Sequence, residues 1–243
     1  MSSRGVIYLA TGSDLQHQLL AISRQALATL HPDLDQVVLS DRPAVALDSP
    51  SVTAQIDYWR VEPVNGYASR TVKTRLAEVR CFERSLFLDN DVVAARPIDD
   101  VWGYLDQYDL AVAHDNVPRL EDALVSGLQD GLLSPAEAAA TQAACGNHMP
   151  YFNTGVLLWR KSPAVDQFFA AWHQEWQRFQ QRDQFAFCRA LAETGLPIAI
   201  LPPIYNMPVF ENTAPSDLAA ARLLHFWAGE KLQLIKQWNL ASR

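Results

Sequence analysis

The stretch Arg84-Ser-Leu-Phe-Leu-Asp-Asn-Asp-Val-Val-Ala-Ala-Arg-Pro-Ile-Asp-Asp100 decides how the chain is read. Leu86 to Leu88 form the apolar run of a buried strand, and Asp89-Asn90-Asp91 follow at once before the chain turns apolar again at Val92 and Val93. Two carboxylates one residue apart at a strand end can splay around one hard divalent cation, which prefers oxygen ligands and completes its shell with phosphate. The plainer reading is a strand leaving for solvent through ordinary turn formers. A third uses Asp89 as a covalent nucleophile and Asp91 as its acid/base partner, as in haloacid-dehalogenase-type phosphatases. That reading needs a further acidic pair downstream. Asp99-Asp100 lies too close to serve, and a β-α-β unit precedes the motif where such chains normally begin with it.

Outward from that strand the pattern is α/β. Residues 5–12 read as a strand ending in a Thr-Gly turn. Residues 13–30 carry Leu15, Leu19, Leu20, Ile22, Ala26, Leu27 and Leu30 on one helical face, with Ser13 able to cap it. A second strand is expected at 36–41, and this opening predicts a parallel sheet. A helix is expected over 69–82 and strands over 85–91, 109–115, 151–160, 198–203 and 222–229. Further helices are expected at 162–179, capped by Ser162, and at 183–195, stopped by Gly195. Residues 116–150 read as less regular, a loop over a cleft with a short helix from Ser134. Trp172 and Trp176, four apart on a helix, read as core or as a surface patch. Four strands end in polar residues, at Thr11, Asp89 to Asp91, Asp115, and His225 with Gly229. In open α/β sheets ligands bind beyond such carboxyl ends. Asn153-Thr154-Gly155 begins its strand instead, so that strand is expected to be antiparallel.

Composition narrows the function. The 243 residues are 49% hydrophobic and 19% charged, which fits one globular domain spanning 1–243. A formal net charge of −7 offers no basic field for nucleic acid or an anionic membrane. Three scattered cysteines suggest neither a disulfide framework nor a zinc knuckle, and a reduced, cytoplasmic setting is the default. No signal peptide and no transmembrane segment are expected.

Seven segments, in order, resemble the retaining family 8 glycosyltransferases of GT-A fold, the group of glycogenin and the bacterial lipopolysaccharide galactosyltransferases. They are VIYLATGSD, KTRLAEVRCFERSLFLDND, VVAARPIDDVW, FNTGVLLW, RDQFAF, LPPIYNM and HFWAGEK; Lys73 precedes Asp89 by sixteen residues. The resemblance implies a mixed, mostly parallel sheet flanked by helices, and transfer of a hexose from a nucleotide diphosphate sugar, a UDP-sugar, with retention. The acceptor would be a hydroxyl of a glycan, lipid or protein. By the same resemblance Asp89, Asp91 and His225 hold manganese or magnesium, which acts as a Lewis acid on the leaving diphosphate. Lys231 and Gly229 would meet the phosphates, and Leu9, Ala10 and Thr11 the nucleoside. Asn90 would lie beside the ribose or sugar, Arg70 and Lys73 would reach phosphate or sugar, and Asn153 and Gly155 would face the sugar hydroxyls. Asp183 and Gln184 would sit near the reacting carbon.

Each residue also has a plainer role open to it. His225 could be a satisfied core histidine, Asp183 a helix N-cap, Asn153-Thr154-Gly155 a turn, Tyr205-Asn206 structural, and Lys73 an ordinary helix residue. The chain departs from the family pattern at Leu15, where an aromatic is usual, at Arg182, where a glycine is common, and in one extra residue between His225 and Gly229. Residues 116–150 match nothing in the family. Two other classes remain open: a sugar-nucleotide-binding protein without catalysis, and a nucleotidyltransferase. The latter should carry a Gly-rich basic loop, whereas ATGSDLQ has one glycine and no Lys or Arg.

Overall fold

A computed structural model describes residues 3–42, 56–62, 66–146, 148–227 and 231–235. The chain opens with β1 (Arg4–Ala10), α1 (Asp14–Leu30) and β2 (Gln36–Ser40), and β3 (Ile56–Arg60) extends the same parallel edge. After α2 (Arg70–Lys73) it returns to the other side of β1 as β4 (Arg84–Leu88), with Tyr8 opposite Leu88. The switch of direction therefore falls between β1 and β4, where open α/β sheets bind ligands. Thr11 and Asp89 leave the sheet there side by side.

β5 (Val92–Ala94) follows, and then β6 (Leu110–Arg119), α3 (Leu120–Gln129), α4 (Pro135–Cys145) and β7 (Pro150–Arg160). α5 (Pro163–Gln177), α6 (Asp183–Thr194) and β8 (Ile198–Leu201) complete the main sheet, ordered β3-β2-β1-β4-β7-β6-β8. β7 alone runs antiparallel, against both β4 and β6. That is the direction expected from its polar start, and it brings Asn153 to Gly155 to the same sheet end as Asp89; the Asp89 amide donates to the Gly155 carbonyl at 2.8 Å.

The central strands read as unbroken apolar runs because helices cover both faces. On one side Ile7, Phe87, Leu157 and Trp159 pack against Phe168, Trp172 and Phe187 of α5 and α6. On the other, Val6, Tyr8, Leu86, Leu88 and Leu158 meet Leu20 and Leu27 of α1. Of the two placements open to them, Trp172 and Trp176 take the core.

A second, three-stranded sheet carries β5 beside β10 (Leu223–His225), with β9 (Met207–Pro208) on the far side of β10. His225 stands opposite Val92, and the Phe226 amide donates to the Asp91 carbonyl at 3.0 Å. This small sheet closes the distance in sequence between the acidic pair and the late histidine.

Several expectations require correction. The helix over 69–82 is broken into α2 and two 3-10 turns, Gly66–Ser69 and Leu76–Val79. β-branched Thr71, Val72 and Thr74 favour helix weakly. The Thr74 hydroxyl also bonds back to the Arg70 carbonyl, and Arg80 turns left-handed at φ 47°. Residues 116–150 are not irregular. β6 runs on through two register shifts to Arg119, and α3 buries Leu120, Ala123, Leu124 and Gly127 before the expected helix capped by Ser134. Leu15 is exposed rather than on the buried face of α1, and Ser13 occupies the N-cap without a side-chain bond. Ser162 and Gly195 cap as expected, Ser162 accepting from the Val165 amide and Gly195 adopting φ 62°. Among the described residues no helix is long and apolar enough to cross a membrane.

Candidate active site

The carboxyl ends of β1 and β4, the start of β7, the end of β10 and the first turn of α6 converge on one cleft. Asp89, Asp91 and His225 each offer an atom to a common point, all within 4.8 Å of one another. The His225 ring donates from Nδ1 to Asn206 Oδ1 at 2.8 Å, which turns its other nitrogen, Nε2, toward Asp91 Oδ1 at 3.1 Å. Two carboxylates and an imidazole suit manganese or a similar first-row divalent ion. The backbone is shaped around the same point. A Cβ added at Gly155 would lie 2.3 Å from His225 Cε1 and 3.0 Å from Asp89 Oδ2, so only glycine lets β7 pass this close.

Cations flank the acidic pair. Lys73, buried on α2, reaches both oxygens of Asp89 at 3.1 Å and Asp183 Oδ2 at 3.5 Å. Lys231 pairs with Asp91, and Arg70 Nε meets Asp183 Oδ1 at 3.3 Å. Burial works against ionisation of Asp91, yet His225 and then Lys231 overcome it and hold the carboxyl far below the usual range. Asp183 behaves likewise: burial raises it, but Lys73, Arg70 and the Thr154 hydroxyl keep it ionised. Thr154 Oγ1 donates to Asp183 Oδ2 at 2.6 Å. The carboxylates of Asp89, Asp91 and Asp183 are thus matched in number by Lys73, Arg70 and Lys231. A divalent ion added here would leave a surplus of about two positive charges, which complements a diphosphate diester.

The cleft has two lobes that share Arg70, Lys73, Asp89, Asp91 and Lys231. The smaller, about 240 Å³, is lined by Leu9, Thr11, Ser13, Gln16 and Asn90. Ala10 is buried and lines neither lobe. Asn90 Nδ2 donates to Gln16 Oε1 at 2.6 Å, tying the acidic loop to α1. The larger lobe, about 410 Å³, holds Asn153, Gly155, Asp183, Gln184 and His225. Gln184 donates to Asp115 Oδ2 at 2.9 Å and to the Phe152 carbonyl at 2.9 Å, and Asn153 donates to the same Asp115 oxygen at 3.1 Å. Asp183 is the first residue of α6, not its N-cap; that position belongs to Arg182.

Most residues expected at the site therefore line the cleft; Ala10 lines neither lobe, and Gly229 lies outside the described residues. Sequence reasoning gave no role to several others. Asp115 was visible only as a polar strand end, yet it holds both Gln184 and Asn153. Thr154 was visible inside FNTG but not as the partner of Asp183. Asn206, which reads as structural in the sequence, orients His225. Gln16 carries no signal, and Trp227 none beyond its place in HFWAGEK.

No family model matches this chain, and no curated protein matches it in sequence. Solved structures do. The galactosyltransferase LgtC in complex with donor and acceptor sugar analogs superposes with a TM-score of 0.63 at 16% identity, covering 98% of this chain and 95% of that one. Mouse xyloside xylosyltransferase 1 gives 0.57 at 14% identity, covering 93% and 98%. The bifunctional glycosyltransferase WbbM gives 0.59 at 13%, covering 99% of this chain and 51% of its own. The mixed seven-stranded sheet, its flanking helices and these likenesses establish that the chain has the GT-A fold.

Proposed function

We propose that the chain is a single-domain, metal-dependent glycosyltransferase that moves a hexose from a UDP-sugar to a hydroxyl acceptor with retention of anomeric configuration. The observation that carries this reading is the convergence of Asp89, Asp91 and His225 within 4.8 Å, where two cavities share Asp89 and Asp91 and His225 lines the larger. A surface DxD leaving for solvent would not be met by a buried imidazole from the other end of the chain.

Asp89, Asp91 and His225 would hold manganese or magnesium, which when bound supplies Lewis-acid stabilisation of the leaving diphosphate. Leu9, Ala10 and Thr11, with Asn90, would receive the nucleoside in the smaller lobe. Lys73, Arg70, Lys231 and Gly229 would meet the phosphates. Asn153, Gly155 and Gln184 would face the donor sugar in the larger lobe. In the transfer, the bond from the anomeric carbon to the diphosphate oxygen breaks and one to the acceptor oxygen forms.

Retaining transfer could use Asp183 as a covalent nucleophile or follow a front-face route in which the departing phosphate assists the incoming hydroxyl, and the setting of Asp183 favours the second. Thr154 engages one of its oxygens and Arg70 the other, with Lys73 close by, and the carboxyl is held ionised. Such a carboxylate is a stabilised anion and a poor nucleophile. Asp183 then anchors Arg70 and Lys73, and the acceptor proton passes to the departing phosphate on the same face of the sugar.

A thermal-shift panel of UDP, GDP and their sugars, with and without manganese, tests the reading, because a ligand of the folded state raises stability by mass action. A manganese-dependent shift with a uridine diphosphate species is expected, abolished in Asp91→Ala. A shift with guanosine species alone would overturn the donor. Binding of UDP and metal without donor hydrolysis or transfer would leave a sugar-nucleotide-binding protein.

A further inference from the structure

The larger lobe extends past the groups that the donor would occupy. Its far wall is α3, which presents Ser126 and Gly127, together with Asp130 just after the helix; Trp227 and Arg182 line the same cavity. α3 belongs to residues 116–150, the part of the chain that matches no family motif. We propose that α3 and Trp227 form the acceptor subsite, and that the acceptor is an uncharged pyranoside; this rests on the glycosyltransferase reading above.

Three features point to that class. The cations of the cleft sit at its waist, on Asp89, Asp91 and Asp183. Beyond the waist the lobe carries Asp115 and Asp130 against Arg182, a surplus of negative charge. A phosphorylated or carboxylated acceptor would be repelled there, whereas a polyol can donate to carboxylates and hydroxyls. Second, Ser126 Oγ donates to Asp130 Oδ2 at 3.3 Å, which fixes a hydroxyl and a carboxylate together on the cavity wall. A carboxylate accepts several hydrogen bonds, so this pair can receive vicinal sugar hydroxyls. Third, Trp227 is half-buried and held by two near-perpendicular ring contacts, to His225 at 4.8 Å and to Phe210 at 6.0 Å. An aromatic ring positioned without freedom to rotate away offers a platform for the C–H face of a pyranose. Its contact with His225 places that platform beside the proposed reacting centre.

The test uses the full chain with manganese and either UDP-galactose or UDP-glucose, and follows UDP release with added methyl β-D-galactopyranoside, methyl β-D-glucopyranoside, lactose, glucose 6-phosphate or glucuronate. A neutral glycoside is expected to raise release several-fold over hydrolysis in water, and the two anionic sugars are not. Asp130→Ala and Trp227→Leu are each expected to lose at least tenfold of that stimulation, while the manganese-dependent thermal shift with UDP stays at the wild-type value in Asp130→Ala. Full stimulation in both variants, stronger stimulation by an anionic sugar, or no stimulation in a chain that binds UDP with manganese would overturn the subsite. Failure to bind any nucleoside diphosphate with metal would instead remove the functional reading beneath it.

Discussion

Asn206 sets the face that His225 shows to Asp91. With Nδ1 committed to Asn206 Oδ1 at 2.8 Å, Nε2 is left 3.1 Å from Asp91 Oδ1. Both residues are buried, so neither can exchange its partner for water. Groups that orient a ligating histidine commonly matter about 10–100-fold in metal affinity. Asn206→Ala is therefore expected to weaken manganese binding by a factor in that range with little effect on UDP binding in its absence. Manganese titration of the thermal shift measures it. Unchanged affinity would mean that His225 is held by packing alone.

Gly155 makes a sharper test of the same point. Gly155→Ala places a methyl group against His225 Cε1 and Asp89 Oδ2. Forcing a methyl into a packed interior costs about 1–3 kcal/mol, and here part of the displacement must fall on the two candidate ligands. The variant is expected to melt lower without metal and to lose the manganese-dependent shift altogether. A lowered melting temperature with the full metal increment intact would separate the glycine from the site.

The assignment of Asp183 as an anchor leads to a chemical prediction. A covalent mechanism would place a hexose on its carboxylate, whereas an anchored anion would not form the adduct. Intact-mass measurement after rapid quench with a UDP-hexose is expected to show no added hexose. Asp183→Asn should nevertheless cut transfer by at least about 100-fold, comparable to the loss of one preorganised electrostatic group, because Arg70 loses its carboxylate partner and Lys73 keeps only Asp89. An adduct on α6 would reverse this reading.

How far the chain could be read without coordinates depends on the range of the interactions involved. β1, α1 and β2, the helix caps at Ser134, Ser162 and Gly195, and the antiparallel β7 follow from local periodicity and the placement of polar residues. Asp89 and Asp91 are legible for the same reason, since two carboxylates interrupt an apolar run. His225 has no such local signature. Its place follows from the pairing of β5 with β10, a contact between remote segments; the sequence marks it as a polar strand end, and only likeness to a family joins it to the acidic pair. The broken helix at 69–82 was misread because its apolar spacing is helical while its β-branched residues and the Thr74 hydroxyl pull against it. α3 was missed because Gly127 and the polar Ser126 interrupt an otherwise regular face. At Gly127 the helix packs closely, and a Cβ would approach Leu133 Cβ to 3.1 Å.

His31, far from the cleft, gives the fold an acid-sensitive point. It follows α1, and its Nε2 accepts the Ile98 amide at 2.9 Å, a bond that requires a neutral ring. Burial lowers its pKa; Asp99 and Asp33 oppose that shift, and Arg4 adds to it. Above about pH 6.5, the ordinary value for histidine, the ring is neutral in the folded and unfolded chain alike and its contribution is complete. As pH falls below that value the unfolded chain takes up a proton that the folded chain resists, so stability declines until the folded ring titrates as well. His31→Gln can still accept from the Ile98 amide but carries no titrating group. Urea midpoints at pH 7.5 and 5.5 should therefore fall further on acidification for the wild type than for His31→Gln. Equal declines would show that the ring does not hold this amide as a neutral acceptor.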